Sequence, residues 1–167
     1  MSEGLPRDER LPYAKSFFEL VVYRKARALA GAVFTVTQRF PKDESFSLTD
    51  QWRRSARSIG GQIAEAWAKR RYPRHFISKL TDADSEQLET QHWTAIAHDC
   101  GYLSPNEERH LSHLAQEIGR MLGAMITNAE KFCAETIPAN LHDDPTPYFL
   151  PPHQSLITEN GQTPPDP

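Results

Sequence analysis

Four stretches of the chain repeat apolar residues at the three- and four-residue spacing of an amphipathic helix. In the first, Val22, Ala26, Leu29, Val33, Val36 and Phe40 recur on one side, starting from Phe17. Phe18, Val21 and Phe34 widen that stripe, which predicts a helix covered on more than one side. Gly31 costs about 1 kcal/mol relative to alanine in a helix interior, too little to interrupt it. Pro41 steers Phe40 away from helical dihedrals, so the first helix is expected to end there.

In the second stretch Leu48, Trp52, Ala56, Ile59, Ile63 and Ala66 form one seam. Ser47 followed by Asp50 predicts a capping-box-like start, a hydroxyl for an orphan amide and an acid in the first turn. Arg53, Arg57, Gly60, Gly61, Ala64 and Ala68 share the opposite side. Two helical glycines cost about 2 kcal/mol together. They imply a bend or the close approach of another backbone; the alternative is a break into two short helices.

Tyr72-Pro73 marks the next boundary, with proline suited to the first turn of a third helix. Phe76, Ile77, Leu80, Ala83, Leu88 and Ala95 give its best apolar side, but Asp84, Gln87, Gln91 and His98 interrupt it. Buried polar groups need partners, and the arginines of the second helix are an obvious supply. Gly101 closes this helix. Ser104-Pro105-Asn106-Glu107 then supplies cap, first-turn proline and reciprocal acid. Leu111, Leu114, Ile118, Met121, Leu122, Met125, Ala129 and Phe132 continue as a clean stripe, predicting a fourth helix that runs to Phe132.

Short connections between four long amphipathic helices predict an all-α fold, an antiparallel up-down-up-down four-helix bundle. It is expected over residues 15–136, after a flexible arm at 1–14. Residues 137–167 read as a proline-rich acidic tail, expected to be disordered: from Pro138 onward there are eight prolines and no Lys or Arg. A chain of 167 residues suffices for one domain with a real core. Cys100 and Cys133 lack metal or redox spacing, and the charged start MSEGLPRDER lacks the apolar region of a signal peptide. No apolar run approaches the roughly 20 residues of a membrane span. A cytoplasmic protein without membrane association is expected.

The formal charge of -3 hides an uneven distribution. Between Asp50 and Leu80 eight basic residues face two acids, whereas Thr81 to Cys100 holds five acids and no Lys or Arg. Candidate nucleic-acid contacts are Arg53, Arg54 and Arg57, about one turn of helix, and Lys69, Arg70, Arg71 and Arg74 at the corner between helices two and three. Trp67 and Tyr72 could stack on bases. The same cations could instead pair with Glu86, Glu89 and neighbouring acids, within or between subunits, or meet an acidic protein.

Other chemistry is weakly signalled. Glu89-x-x-His92 has the spacing of di-iron bundles, but that site needs two such motifs and two further glutamates. His110-x-x-His113 lacks a third ligand at a suitable position. No phosphate-binding loop, nucleophile elbow or dinucleotide turn is present. No cofactor is implied and no enzyme is expected.

The stretch from Phe40 to Arg70, FPKDESFSLTDQWRRSARSIGGQIAEAWAKR, resembles the signature of a bacterial four-helix-bundle family first noted as products of intervening sequences in large-subunit ribosomal RNA genes. Phe40, Pro41, Glu44, Leu48, Gln51, Arg53, Arg54, Ser58, Ile59, Ile63, Ala64 and Glu65 match it. A second block, Leu80 to Leu103 with Glu86, Glu89, Thr90, Gln91 and Trp93, resembles one branch of that family. The chain departs at Gly60, Gln62 and Ala66, where the signature has Pro, Asn and Gly. The family is similar to the accessory variability protein of diversity-generating retroelements, which assembles as a homopentamer and binds nucleic acid and a reverse transcriptase. The resemblance implies a homo-oligomer, a pentamer by preference, without established enzymatic activity. The reading that follows is a non-enzymatic, self-associating binding or scaffold protein with RNA or another nucleic acid as partner. The alternative is a protein-protein adaptor with no nucleic-acid role, and a metal or redox bundle ranks third.

Overall fold

The computed structural model describes residues 14–133, and all of them lie in helices, turns or short connections. The expected arm, except Ala14, and the expected proline-rich tail fall outside these residues. Four long helices follow one another: α1 Val21–Thr37, α2 Leu48–Ala68, α3 Pro73–Asp99 and α4 Pro105–Thr127, with a short α5 at Ala129–Cys133. No strand occurs among the described residues. α1 packs on α2, α2 on α3, α3 on α4, and α4 back on α1, so each long helix has two long neighbours.

The first helix is shorter than its apolar pattern predicts. Phe17–Glu19 form a single 3-10 turn, and Leu20 takes an extended conformation (φ −64°, ψ 127°) before α1 begins. That break lets Leu20 drop into the core while the Phe17 ring stacks on Phe18 at 4.1 Å and meets Tyr23 edge-on at 4.9 Å. At the other end α1 stops at Thr37, ahead of Pro41. The amides of Gln38 and Phe40 fall back on carbonyls three residues earlier, and the chain tightens into turns. The predicted seam of Val22, Ala26, Leu29, Val33 and Val36 is buried, whereas Phe18, Val21 and Phe34 are exposed.

α2 runs unbroken through Gly60-Gly61 and buries Leu48, Trp52, Ala56, Ile59, Ile63 and Ala66. The close neighbour of Gly60 is a ring rather than another backbone: a Cβ there would lie 3.6 Å from Tyr23 Cε2. The expected cap is not formed. The Ser47 hydroxyl donates to the Glu44 carboxylate, leaving no side-chain cap on α2. Its backbone explains this, since φ −117° and ψ −106° lie outside the extended region a capping residue adopts.

α3 shows the largest difference. Its buried positions are Phe76, Leu80, Ala83, Gln87, Thr90, Thr94 and Ala97, while Leu88 is 58% exposed and Ala95 faces solvent. The helix turns polar side chains inward, and helix-two arginines do not satisfy them. Thr90 Oγ1 donates to Glu86 O at 2.8 Å and lies 3.1 Å from Ser55 Oγ, Thr94 bonds back to Thr90 O, and Gln87 Nε2 reaches Ala115 O at 3.0 Å.

α4 begins as predicted. Ser104 Oγ accepts from the Glu107 amide at 3.3 Å and Glu107 Oε2 accepts from the Ser104 amide at 2.9 Å. Those bonds, with help from Arg39 at 2.8 Å, hold the Glu107 carboxyl below its ordinary pKa. Ser104→Ala should cost about 1 kcal/mol, read from urea unfolding at neutral pH. The carboxylate's contribution is complete above the ordinary glutamate range and fades as pH falls through the lowered folded value. An unchanged midpoint at neutral pH would contradict the capping box. The helix ends earlier than predicted, at Thr127, where Asn128 Nδ2 donates to Ala124 O at 2.9 Å before α5 resumes.

Candidate functional site

The seven candidate cations fall into two groups along α2. Arg57 and Lys69 are twelve residues apart, about 18 Å of helix at 1.5 Å per residue. They do not form one continuous patch.

In the first group each arginine has different surroundings. Arg53 Nε donates to Thr37 Oγ1 at 2.7 Å and its guanidinium lies 4.9 Å from the Phe34 ring centroid. It thus fastens α2 to the end of α1, and no carboxylate pairs with it among the described residues. Arg54 is exposed, with Asp50 Oδ2 at 3.9 Å one turn back. Its charge also tempers the Glu86 carboxyl, which burial and then nearby Glu89 push above the ordinary range. Arg57 is exposed on a groove of about 350 Å³ between α1 and α2, together with Arg27, Tyr23, Ala30 and Gly60.

The second group sits where α2 gives way to α3. Lys69, Arg71 and Arg74 are exposed, and Arg70 is half-buried. Arg70 lies 4.1 Å over the Trp67 ring and donates to Trp67 O at 2.7 Å; Arg71 lies 5.8 Å from the Tyr72 ring. None of the four makes an ion pair among the described residues. The last basic residue of the stretch behaves differently. Lys79 bonds Glu65 at 2.8 Å, Asp82 at 3.3 Å and Gln62 Oε1 at 3.1 Å. The Glu65 hydrogen bond holds its ammonium above its ordinary pKa and the Glu65 carboxyl below its own.

The motifs weighed for metal binding are engaged otherwise. Glu89 Oε1 accepts from Trp93 Nε1 at 2.9 Å, and His92 packs edge-on against that indole. His113 Nδ1 lies 3.9 Å from Glu117, which is itself bonded to Lys25 at 2.9 Å and held below its ordinary pKa chiefly by that bond. Among the described residues no three His, Cys, Asp or Glu side chains converge as a metal site would require.

The segment joining α1 and α2 is tied together by its own side chains. Phe40 packs against Trp52 and Tyr102 at 6.0 and 5.0 Å, and Glu44 accepts from Ser47 and from Tyr102 at 3.2 Å. Phe40, Glu44 and Arg53 are thus the corner at which α1, α2 and the α3–α4 turn meet. The family model for 23S rRNA-intervening sequence proteins matches residues 18–124, a span that holds this corner and the helices it joins. The chain belongs to that family. A crystal structure of a protein of unknown function from the S23 ribosomal protein family of Bacteroides thetaiotaomicron is similar, with a TM-score of 0.59 and 26% identity, covering 64% of this chain and 96% of that one. No curated protein matches.

Sequence reasoning missed the polar side chains around this corner. Thr37, Lys42 and Thr49 carry no motif, and only the fold brings them beside Arg53. For this member of the intervening-sequence family no helix among the described residues is long and apolar enough to cross a membrane.

Proposed function

We propose that the chain is a non-enzymatic, self-associating helical-bundle protein of the cytoplasm that binds RNA at the α2–α3 corner. The observation that carries this reading is the set Arg70, Arg71 and Arg74, with no carboxylate partner among the described residues, beside Lys69, whose charge acts on the Glu65 carboxylate without an ion-pair contact. Trp67 and Tyr72 stand beside them and hold two of the guanidinium planes. Cations without ion-pair contacts, next to aromatic faces, suit a phosphate backbone with unstacked bases. The competing reading is that cations at a helix C-terminus merely complement its dipole. That explains a charge in the last turn but not Arg74, which follows Pro73 in the first turn of α3.

Self-association rests on the exposed Phe18 and Val21 of the first helical segment. Such side chains are better covered by another copy than left in water. The antiparallel up-down-up-down arrangement, with a pentamer as the preferred assembly, is the form this reading takes. If RNA is not the ligand, the same exposed apolar residues favour a protein-protein adaptor.

The test is a titration of single-stranded RNA against the full chain and the double variant Arg71→Gln/Arg74→Gln at several salt concentrations. Removing two phosphate contacts should weaken binding at low salt and flatten the salt dependence by about 1.4 units of log-log slope. Stability should change by less than about 0.5 kcal/mol, because both side chains are exposed. Equal affinities with equal salt slopes would transfer the function to the adaptor reading. Light scattering at micromolar concentration gives the assembly, and a monomeric mass would remove self-association.

A further inference from the structure

We propose that the corner between α1 and α2 is a binding pocket for a small phosphomonoester, separate from the RNA-binding corner and independent of that reading. The pocket holds about 380 Å³, within the range of small-ligand sites. Its polar wall carries Arg53, Lys42, Thr49, Ser45 and Gln38, and no carboxylate among the described residues lines it. Its apolar wall is Phe34, Phe40 and Pro41.

The arginine is pre-set for an oxyanion. Thr37 Oγ1 donates to Val33 O at 2.7 Å, so its lone pair is left to receive Arg53 Nε at 2.7 Å. The Phe34 ring beneath fixes the guanidinium plane. Both terminal nitrogens then remain without a hydrogen bond among the described residues. A fixed guanidinium fork with its outer nitrogens free fits two oxygens of one phosphate. Lys42 adds a second, exposed charge and makes no ion pair among the described residues.

Thr49 points to the same ligand independently. It is only 7% exposed, lines the pocket, and its hydroxyl has no hydrogen-bond partner among the described residues. Water reaches that hydroxyl in the open pocket, and an oxygen of a bound oxyanion can take the water's place. At the start of α2 the Ser47 hydroxyl is committed to Glu44, whose carboxylate also accepts from the Leu48 amide. The nearby carboxylates are engaged elsewhere: Glu44 with Ser47 and Tyr102, Asp50 with Arg54. The Arg53 and Lys42 cations and the Thr49 hydroxyl converge on one anion, and the phenylalanine wall takes the organic group attached to it.

Calorimetric titration of the full chain with adenosine monophosphate, inorganic phosphate and adenosine tests this. The monophosphate should bind saturably, phosphate more weakly, and adenosine not measurably. Arg53→Gln should weaken the monophosphate about tenfold or more. Because that variant also loses the Thr37 bond, Lys42→Gln serves as the second variant: it is exposed, should leave the melting curve unchanged, and should weaken binding several-fold. Arg71→Gln, at the other corner, should leave affinity unchanged. No saturable binding of the monophosphate, equal binding of adenosine, or equal losses in Lys42→Gln and Arg71→Gln would each overturn the proposal.

Discussion

Trp52→Ala is expected to cost about 3–5 kcal/mol of folding stability, the largest effect of any single truncation proposed for this chain. Trp52 is fully buried on α2 and packs its ring 6.0 Å from Phe40, which in turn touches Tyr102. Losing the indole empties the junction of α1, α2 and the α3–α4 turn, and a site shared by that many elements cannot close around the void. Trp52→Phe should behave differently. The indole Nε1 is buried and makes no hydrogen bond among the described residues, so phenylalanine loses volume but also removes a donor desolvated without compensation there. The net cost should be under about 2 kcal/mol. Guanidinium unfolding of the two variants measures both numbers. Equal losses would mean that the indole N–H has a partner, and the account of this corner would fail.

How much of this was legible in the sequence depended on how far the side-chain pattern agreed with polarity. In α2 every residue of the predicted seam is buried, with Thr49 and Ser55 buried beside it. In α4 the predicted Leu111, Ile118, Leu122 and Met125 are buried together with Ala115, while Leu114 and Met121 are half-buried. Ser104 was legible because proline and glutamate stand at the offsets a capping box requires. Ser47 carried half of that signature, and the backbone turned its hydroxyl to Glu44 instead. α3 was misread for a specific reason. Its buried positions, 76, 80, 83, 87, 90, 94 and 97, alternate steps of four and three without a lapse, yet three of them are Gln or Thr. Selecting apolar residues therefore drew in Leu88 and Ala95 from the exposed side. Spacing taken before polarity would have found the seam.

The candidate site was legible only as charge. Eight basic residues in one stretch announced a positive surface, but helical rise separates them into two groups with different surroundings. Lys79 is absorbed by Glu65 and Asp82, Arg53 is tied to Thr37, and the corner cations are left without carboxylates among the described residues. The polar lining of the α1–α2 corner comes from residues four to sixteen positions away from Arg53. Single threonines and lysines at such distances form no recognisable pattern before the chain folds.

The inward polar face of α3 leads to the second large expectation, a coupling between Gln87 and Gly119. Gln87 is 2% exposed, and while its Nε2 reaches Ala115 O, its Oε1 has no partner among the described residues. The Ala115 carbonyl lies inside α4, where the amide four residues on already satisfies it, so it loses little if Gln87 is removed. Gln87→Met keeps the length of the side chain and removes an uncompensated oxygen; it should be neutral or stabilising by about 1 kcal/mol. Gly119 makes room for that amide. A Cβ there would stand 3.1 Å from Gln87 Nε2 and 3.3 Å from its Cδ, tighter than a contact tolerates while the amide is pinned to Ala115. Gly119→Ala in the otherwise unchanged chain should therefore destabilise, despite the gain of up to about 1 kcal/mol that alanine brings to a helix. In a Gln87→Ala background the space is open and the same substitution should stabilise. A double-mutant cycle by urea unfolding should give a coupling of about 1–3 kcal/mol. Additive effects would mean that Gln87 moves aside freely, and that the close seam between α3 and α4 does not depend on the missing side chain at position 119.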